Sequence, residues 1–233
     1  METITLKKPV PAVADEDAVA EVESRLLHMG TLAERMIDGA IRIFTERRQD
    51  VLADIVAQEA EVNELHLSID ELCLKILARS QPHAEDVRLF MACVKVNSDV
   101  ERVADHAVNI AESGAIIAKH PHPHIKLLDI VRMAELAQTM LKGALEAFAE
   151  RDGELARFVV SQDDEEDRMK RAAFEELMGL MRTNSTLIQN ALGLILVSRN
   201  LERIADHATN IAKEAAFLAS YSGTRVAAPL SGA

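Results

Sequence analysis

An eleven-residue phrase occurs twice in this chain. Glu101-Arg-Val-Ala-Asp105-His106-Ala-Val108-Asn109-Ile-Ala111 returns as Glu202-Arg-Ile-Ala-Asp206-His207-Ala-Thr209-Asn210-Ile-Ala212, differing only at Val103/Ile204 and Val108/Thr209. A helical core requires apolar residues at helical spacing and leaves the intervening Glu, Arg, Asp, His and Asn unspecified. Something reads those polar side chains. The repeat also makes the chain two versions of one unit, each carrying one copy of whatever site the phrase builds.

Composition narrows the architecture. With no Trp, one Tyr and six Phe among 233 residues, the chain lacks the aromatic residues that strands and sandwich cores favour, which leaves Leu, Ala, Ile, Val and Met to pack helices. A formal charge of −12 repels phosphate backbones and anionic head groups, so direct nucleic-acid or membrane-surface binding is not expected, and cations or basic protein surfaces are the natural partners. No apolar run approaches the roughly 20 residues of a membrane span, and the N-terminus has no secretory pattern. Cys73 and Cys93 each sit among apolar neighbours and read as buried free thiols in a reducing, cytoplasmic setting.

The apolar period predicts an all-α fold of six long helices at about 15–47, 50–80, 83–118, 125–150, 153–182 and 185–220. They are punctuated by Arg47-Arg48-Gln49-Asp50, Ser80-Gln81-Pro82, the Pro121/Pro123 segment, Arg151-Asp152-Gly153 and Arg182-Thr183-Asn184-Ser185. Residues 1–14 and 222–233 read as tails. A shift of 104 aligns Met36, Gly39, Ala40, Phe44, Glu46 and Arg47 with Met140, Gly143, Ala144, Phe148, Glu150 and Arg151, and sets Glu59 beside Asp163 and Asn63 beside Asp167. Two tandem, pseudo-symmetric three-helix bundles follow, over 15–120 and 121–221. The mid-helix glycines Gly39 and Gly143 point to close helix approach.

On a helical wheel, Val96, Val100, Val103, Ala104, Ala107, Ile110 and Ala111 share one face, while Glu101, Asp105, Asn109 and Glu112 lie together on an outer strip. The second copy repeats this, with Glu202, Asp206 and Asn210 on its strip and His106 and His207 at the boundary. Carboxylates at i and i+4 have Cβ atoms about 5–6 Å apart and can converge on one hard cation. Such a pair is also tolerated on a plain solvated face at a cost of a few tenths of a kcal/mol; its duplication in one frame puts metal binding on an equal footing. Glu59 and Asn63 on the second helix, and Asp163 and Asp167 on the fifth, are further oxygen donors at the same spacing. The set Glu59, Glu101, Asp105, Asp163, Asp167, Glu202 and Asp206 suits a divalent or trivalent ion such as iron, Mn, Mg or Zn. Arg102 and Arg203 are expected to pair with acids, Asp99 among them. The run Asp163 to Asp167 reads mostly as a solvated helix start, and His120, His122 and His124 as linker. The Glu-x-x-His spacing of di-iron bundles is absent, as are phosphate loops and nucleophile frames, so no catalytic residue is assigned.

At the two Glu-Arg-x-Ala-Asp phrases the chain resembles the PhoU family of phosphate-signalling regulators. The resemblance covers about residues 18 to 220 and includes the His28-Met29-Gly30 turn, the Val62-Asn63 and Ile69-Asp70-Glu71 stretches and the Gln81-Pro82 break. It implies paired three-helix bundles in which Glu101 with Asp105, and Glu202 with Asp206, face multinuclear metal clusters. It further implies a negative regulator of phosphate uptake and starvation signalling. Such a regulator is a non-catalytic cytoplasmic adaptor between the ATP-binding subunit of a phosphate ABC transporter and a sensor histidine kinase, and dimers occur in the family. His66 stands where the family usually has Glu, Ala104 and Ala205 where Gly is common, and the N-terminal tail lies outside the pattern. A metal-storage or metal-dependent helical bundle is the alternative.

Overall fold

A computed structural model describes residues 16–79, 83–119 and 128–222. The described residues are helical nearly throughout: α1 Glu16–Thr45, α2 Val51–Arg79, α3 Ala84–Lys119, α4 Leu128–Glu150, α5 Gly153–Ser161, α6 Asp163–Thr183 and α7 Ile188–Ser222, with a 3₁₀ turn over Ser185–Leu187. The all-α expectation holds. Apart from Ser222, which ends α7, the tails, the Ser80-Gln81-Pro82 break and the linker histidines lie outside the described residues.

Each long helix follows from its apolar stripe. In α1, Val22, Leu26, Met29, Ala33, Met36, Ile37, Ala40 and Ile43 recur at three- and four-residue steps and are at most 1 % exposed. The helix stops where Arg47 enters the left-handed region at φ 59°, and α4 stops at the equivalent Arg151, at φ 57°. A left-handed turn is a common helix terminus, and here arginine fills a position that glycine would occupy without strain. Asp152 then caps α5, its carboxylate accepting from the backbone N–H of Glu154 and Leu155 at 2.8 and 3.0 Å.

One boundary differs from the sequence expectation. The predicted fifth helix, 153–182, runs as α5 and α6 with a kink at Gln162, whose N–H bonds back to Val159 and Val160. The tightened turn lets the acidic first turn of α6, Asp163 to Glu166, begin a helix of its own, where carboxylates meet the positive end of the dipole. Apolar periodicity runs through such a kink and does not report it.

α1, α2 and α3 pack together, as do α4, α5/α6 and α7, and the two sets meet along α3 with α7 and along α1 with α4. Asp99 lies against His207 and His106 against Asn200, so α3 and α7 run antiparallel and the two copies of the phrase cross at the centre of the molecule. Their apolar faces, as read from the wheel, are at most 1 % exposed. One continuous cluster of buried residues extends through all the long helices. Gly39 and Gly143 mark close approach as expected: a Cβ there would come within 3.0 Å of Val51 and of Val159. Cys73 and Cys93 are free and buried, and burial pushes their thiols up to about 11 and about 12, which keeps both protonated and unreactive.

Candidate metal centre

The acidic strips sit on α3 and α7, each flanked by one more helix. Glu101 and Glu202 are less outward than the wheel implies, with side chains only 19 % and 15 % exposed, against 35 % for Asp105 and 40 % for Asp206. A wheel shows a helix's own apolar face and omits the neighbour that covers its flank. For Glu202 that neighbour is α6.

In the second half the flanking helix brings four more charged groups to the strip. Lys170 Nζ donates to Glu202 at 2.7 Å and to Asp167 at 3.0 Å. Asp163, the counterpart of Glu59, accepts from the Thr209 hydroxyl at 3.2 Å, a bond that Val108 at the equivalent place in the first phrase has no hydroxyl to make. Glu166 is 1 % exposed, and among the described residues neither of its carboxylate oxygens has a hydrogen-bond partner. Burial, reinforced by Glu202, pushes its carboxyl up to about 8, against the opposing pull of Lys170. Asp206 is raised as well, by burial first and then by Glu202. Burial works against the charge on Lys170, but its bonds to Glu202 and Asp167 outweigh this and its pKa is raised; the same contact holds Asp167 low.

The first half is sparser. Glu59 accepts from Asn63 at 2.9 Å. Arg102 pairs with Asp105 at 3.1 Å and with Glu101 at 3.4 Å; the expected partner Asp99 instead accepts from His207 Nδ1 at 2.8 Å. Arg203 repeats the pattern with Asp206 and Glu202. The 104-residue register places His66 opposite Lys170 and Val62 opposite Glu166. His66 lies 3.8 Å from Asp70, and its Nδ1 is buried with no partner among the described residues.

The donor chemistry fits a hard cation: three carboxylates in the first half and five in the second, one of which, Glu166, is buried with no hydrogen-bond partner among the described residues. The side chains are not gathered for one. Among the described residues no three His, Cys, Asp or Glu groups stand in a metal-holding arrangement, because the acids are engaged with Lys170, Arg102, Arg203, Asn63 and Thr209.

Glu166 and Lys170 were missed from sequence, where the run Asp163 to Asp167 reads as solvated. The signal was present. Glu166 shares the stripe of Ala173 and Leu177, the other buried residues of α6, and the register aligns it with the fully buried Val62. At the α3/α7 crossing, His106 and His207 lie with ring centroids 5.5 Å apart, each held by a residue of the other half. A wheel of either helix alone cannot show that.

Fold and motif define a class: a two-fold repeated, all-helical protein with an acidic motif at the centre of each half. The PhoU domain family matches residues 26–114 and 130–215, one stretch in each half, and the chain belongs to the PhoU family. It is 33 % identical over 198 residues to a protein of Pseudomonas putida named phosphate-specific transport system accessory protein PhoU homolog, covering 85 % of this chain and 77 % of that one. It is 33 % identical over 199 residues to a protein of the same name from Deinococcus radiodurans, covering 85 % and 92 %. The crystal structure of PhoU from Pseudomonas aeruginosa superposes with a TM-score of 0.85 at 32 % identity, over 90 % of this chain and 99 % of that one. The phosphate transport system regulatory protein PhoU from Streptococcus pneumoniae, 24 % identical with a TM-score of 0.79 over 87 % and 95 % of the two chains, shares the fold.

Proposed function

We propose that this protein is an accessory regulator of phosphate transport. It restrains uptake and starvation signalling by binding the ATP-binding subunit of a phosphate ABC transporter and a sensor histidine kinase, without turnover. The observation that carries this reading is the match of both halves to one family, whose curated relatives are named as accessory proteins of phosphate-specific transport. No helix among the described residues is long and apolar enough to cross a membrane, so contact with a transporter falls to helix surfaces. Regulation of this kind requires the protein to bind one state of its partners more tightly than another.

The acidic strips are the part of this reading that senses ions. Glu101, Asp105 and Glu59 would hold a divalent or trivalent cation in the first half, and Glu202, Asp206, Asp163 and Asp167 in the second, with Glu166 at the buried end. A bound cation supplies positive charge that draws carboxylates of two helices together. The chain's part is to orient those carboxylates and to hold α3 and α7 rigidly behind them.

The test is capture of the transporter's ATP-binding subunit and of the kinase by the purified protein, with and without added Mn²⁺. The expected result is retention of both partners, tighter with the ion present. Failure to retain either partner under both conditions contradicts the adaptor role, and retention indifferent to metal leaves the strips without a part in docking.

A further inference from the structure

We infer that Lys170 is a built-in cation that closes the second acidic cluster, so that a metal ion enters that half only by displacing it, and the two halves bind metal with unequal affinity. The inference rests on the metal reading of the two strips and adds to it a device present in one half alone.

The geometry is specific. Lys170 Nζ sits between carboxylates of two different helices, 3.0 Å from Asp167 on its own helix and 2.7 Å from Glu202 on α7. It thereby occupies two of the oxygens that an ion bridging α6 and α7 would need. Its side chain is 30 % exposed and Glu202 is 15 % exposed, so the contact is sheltered from much of the solvent screening that weakens a surface pair. Beside it, Glu166 is buried with both oxygens unpartnered. Of the ammonium's three donors one goes to Asp167 and one to Glu202, and none reaches Glu166. A divalent ion carries twice the charge and takes six or more oxygen ligands, so it can satisfy Glu166 together with the acids that Lys170 now holds. The displaced side chain has somewhere to go. It lines an open groove of about 440 Å³ between α6 and α7, with Phe174, Ile195 and Arg199 among its walls.

Among the described residues the first half has no such device. The register puts His66 at this place, 3.8 Å from Asp70, and the cation that meets Glu101 is Arg102, whose side chain is 58 % exposed and which lies on the same helix. Arg203 repeats Arg102 in the second half, so among the cations that meet the two strips Lys170 is the one with no counterpart in the first half. In the second half an arriving ion has to compete with an ammonium tethered beside its ligands, whereas in the first half it meets only the exposed Arg102 at Glu101.

Calorimetric titration of the full-length protein with Mn²⁺, and with Fe²⁺ under anaerobic conditions, tests this. Asp105→Ala, which silences the first half, is compared with Asp105→Ala/Lys170→Met and Asp105→Ala/Lys170→Gln; unfolding in the absence of metal confirms that each variant is folded. The expected result is at least tenfold tighter binding in both Lys170 variants, with a larger metal-induced rise in Tm, and loss of that binding when Asp206→Ala is added. Equal affinity with and without Lys170, still lost on Asp206→Ala, overturns the competing lysine and leaves the metal reading standing. Binding of neither ion to any variant, wild type included, overturns both.

Discussion

Replacing Glu166 by Met stabilises the protein by about 2–4 kcal/mol at pH 8 and changes it little at pH 5, measured by chemical denaturation at the two values. The carboxylate is 1 % exposed, unpartnered and pushed up to about 8 from 4.5. Between those two values the folded chain keeps a proton that the unfolded chain releases, so stability falls as pH rises through this window and levels off above it. At about 1.4 kcal/mol per unit the full penalty is near 5 kcal/mol, with the pull of Lys170 already counted in it, and relaxation around the site keeps the expected gain smaller. The groups that face Glu166 are Asp163, Asp167, Lys170 and Glu202. Three of the four are acidic, so removing the charge relieves repulsion as well as desolvation. A Met variant with the same pH dependence as the wild type contradicts a buried, unpaired carboxylate.

Truncating Phe90 to Ala costs about 3–5 kcal/mol and leaves unfolding a single transition. Phe90 is the largest of the fully buried side chains, at 0 % exposure on α3, and the 101-residue spacing of the repeated phrase pairs it with the equally buried Ala191 of α7. Removing the ring opens a cavity in the first half that small residues of a helical core fill poorly. The loss spreads to both halves because the buried cluster is continuous and α3 packs along the length of α7. Two resolved transitions, with only the first shifted by the substitution, would show instead that each three-helix set holds together alone.

Much of this architecture is legible in the chain. The apolar faces of α3 and α7, the buried thiols and the close approaches at Gly39 and Gly143 all follow from periodicity, because each is a property of one helix and its spacing. What escaped depends on a second helix. Glu166 reads as part of a solvated acidic run until α6 is laid against α7. Asp99 is a natural i,i+3 partner for Arg102 until the antiparallel crossing hands it to His207. The kink at Gln162 leaves the apolar period intact and so leaves no mark in it. Lys170 has no counterpart in the repeated phrase, and it emerges only when the two halves are superposed in register and found to differ.

On the proposed function, the paired Glu-x-x-x-Asp strips of α3 and α7 gather metal ions. Elemental analysis of the purified protein beside its Asp105→Ala/Asp206→Ala variant decides this. Metal bound by the wild type and lost from a variant that still folds is the expected result. Equal metal content in the two proteins would contradict it and reduce the strips to charged surface.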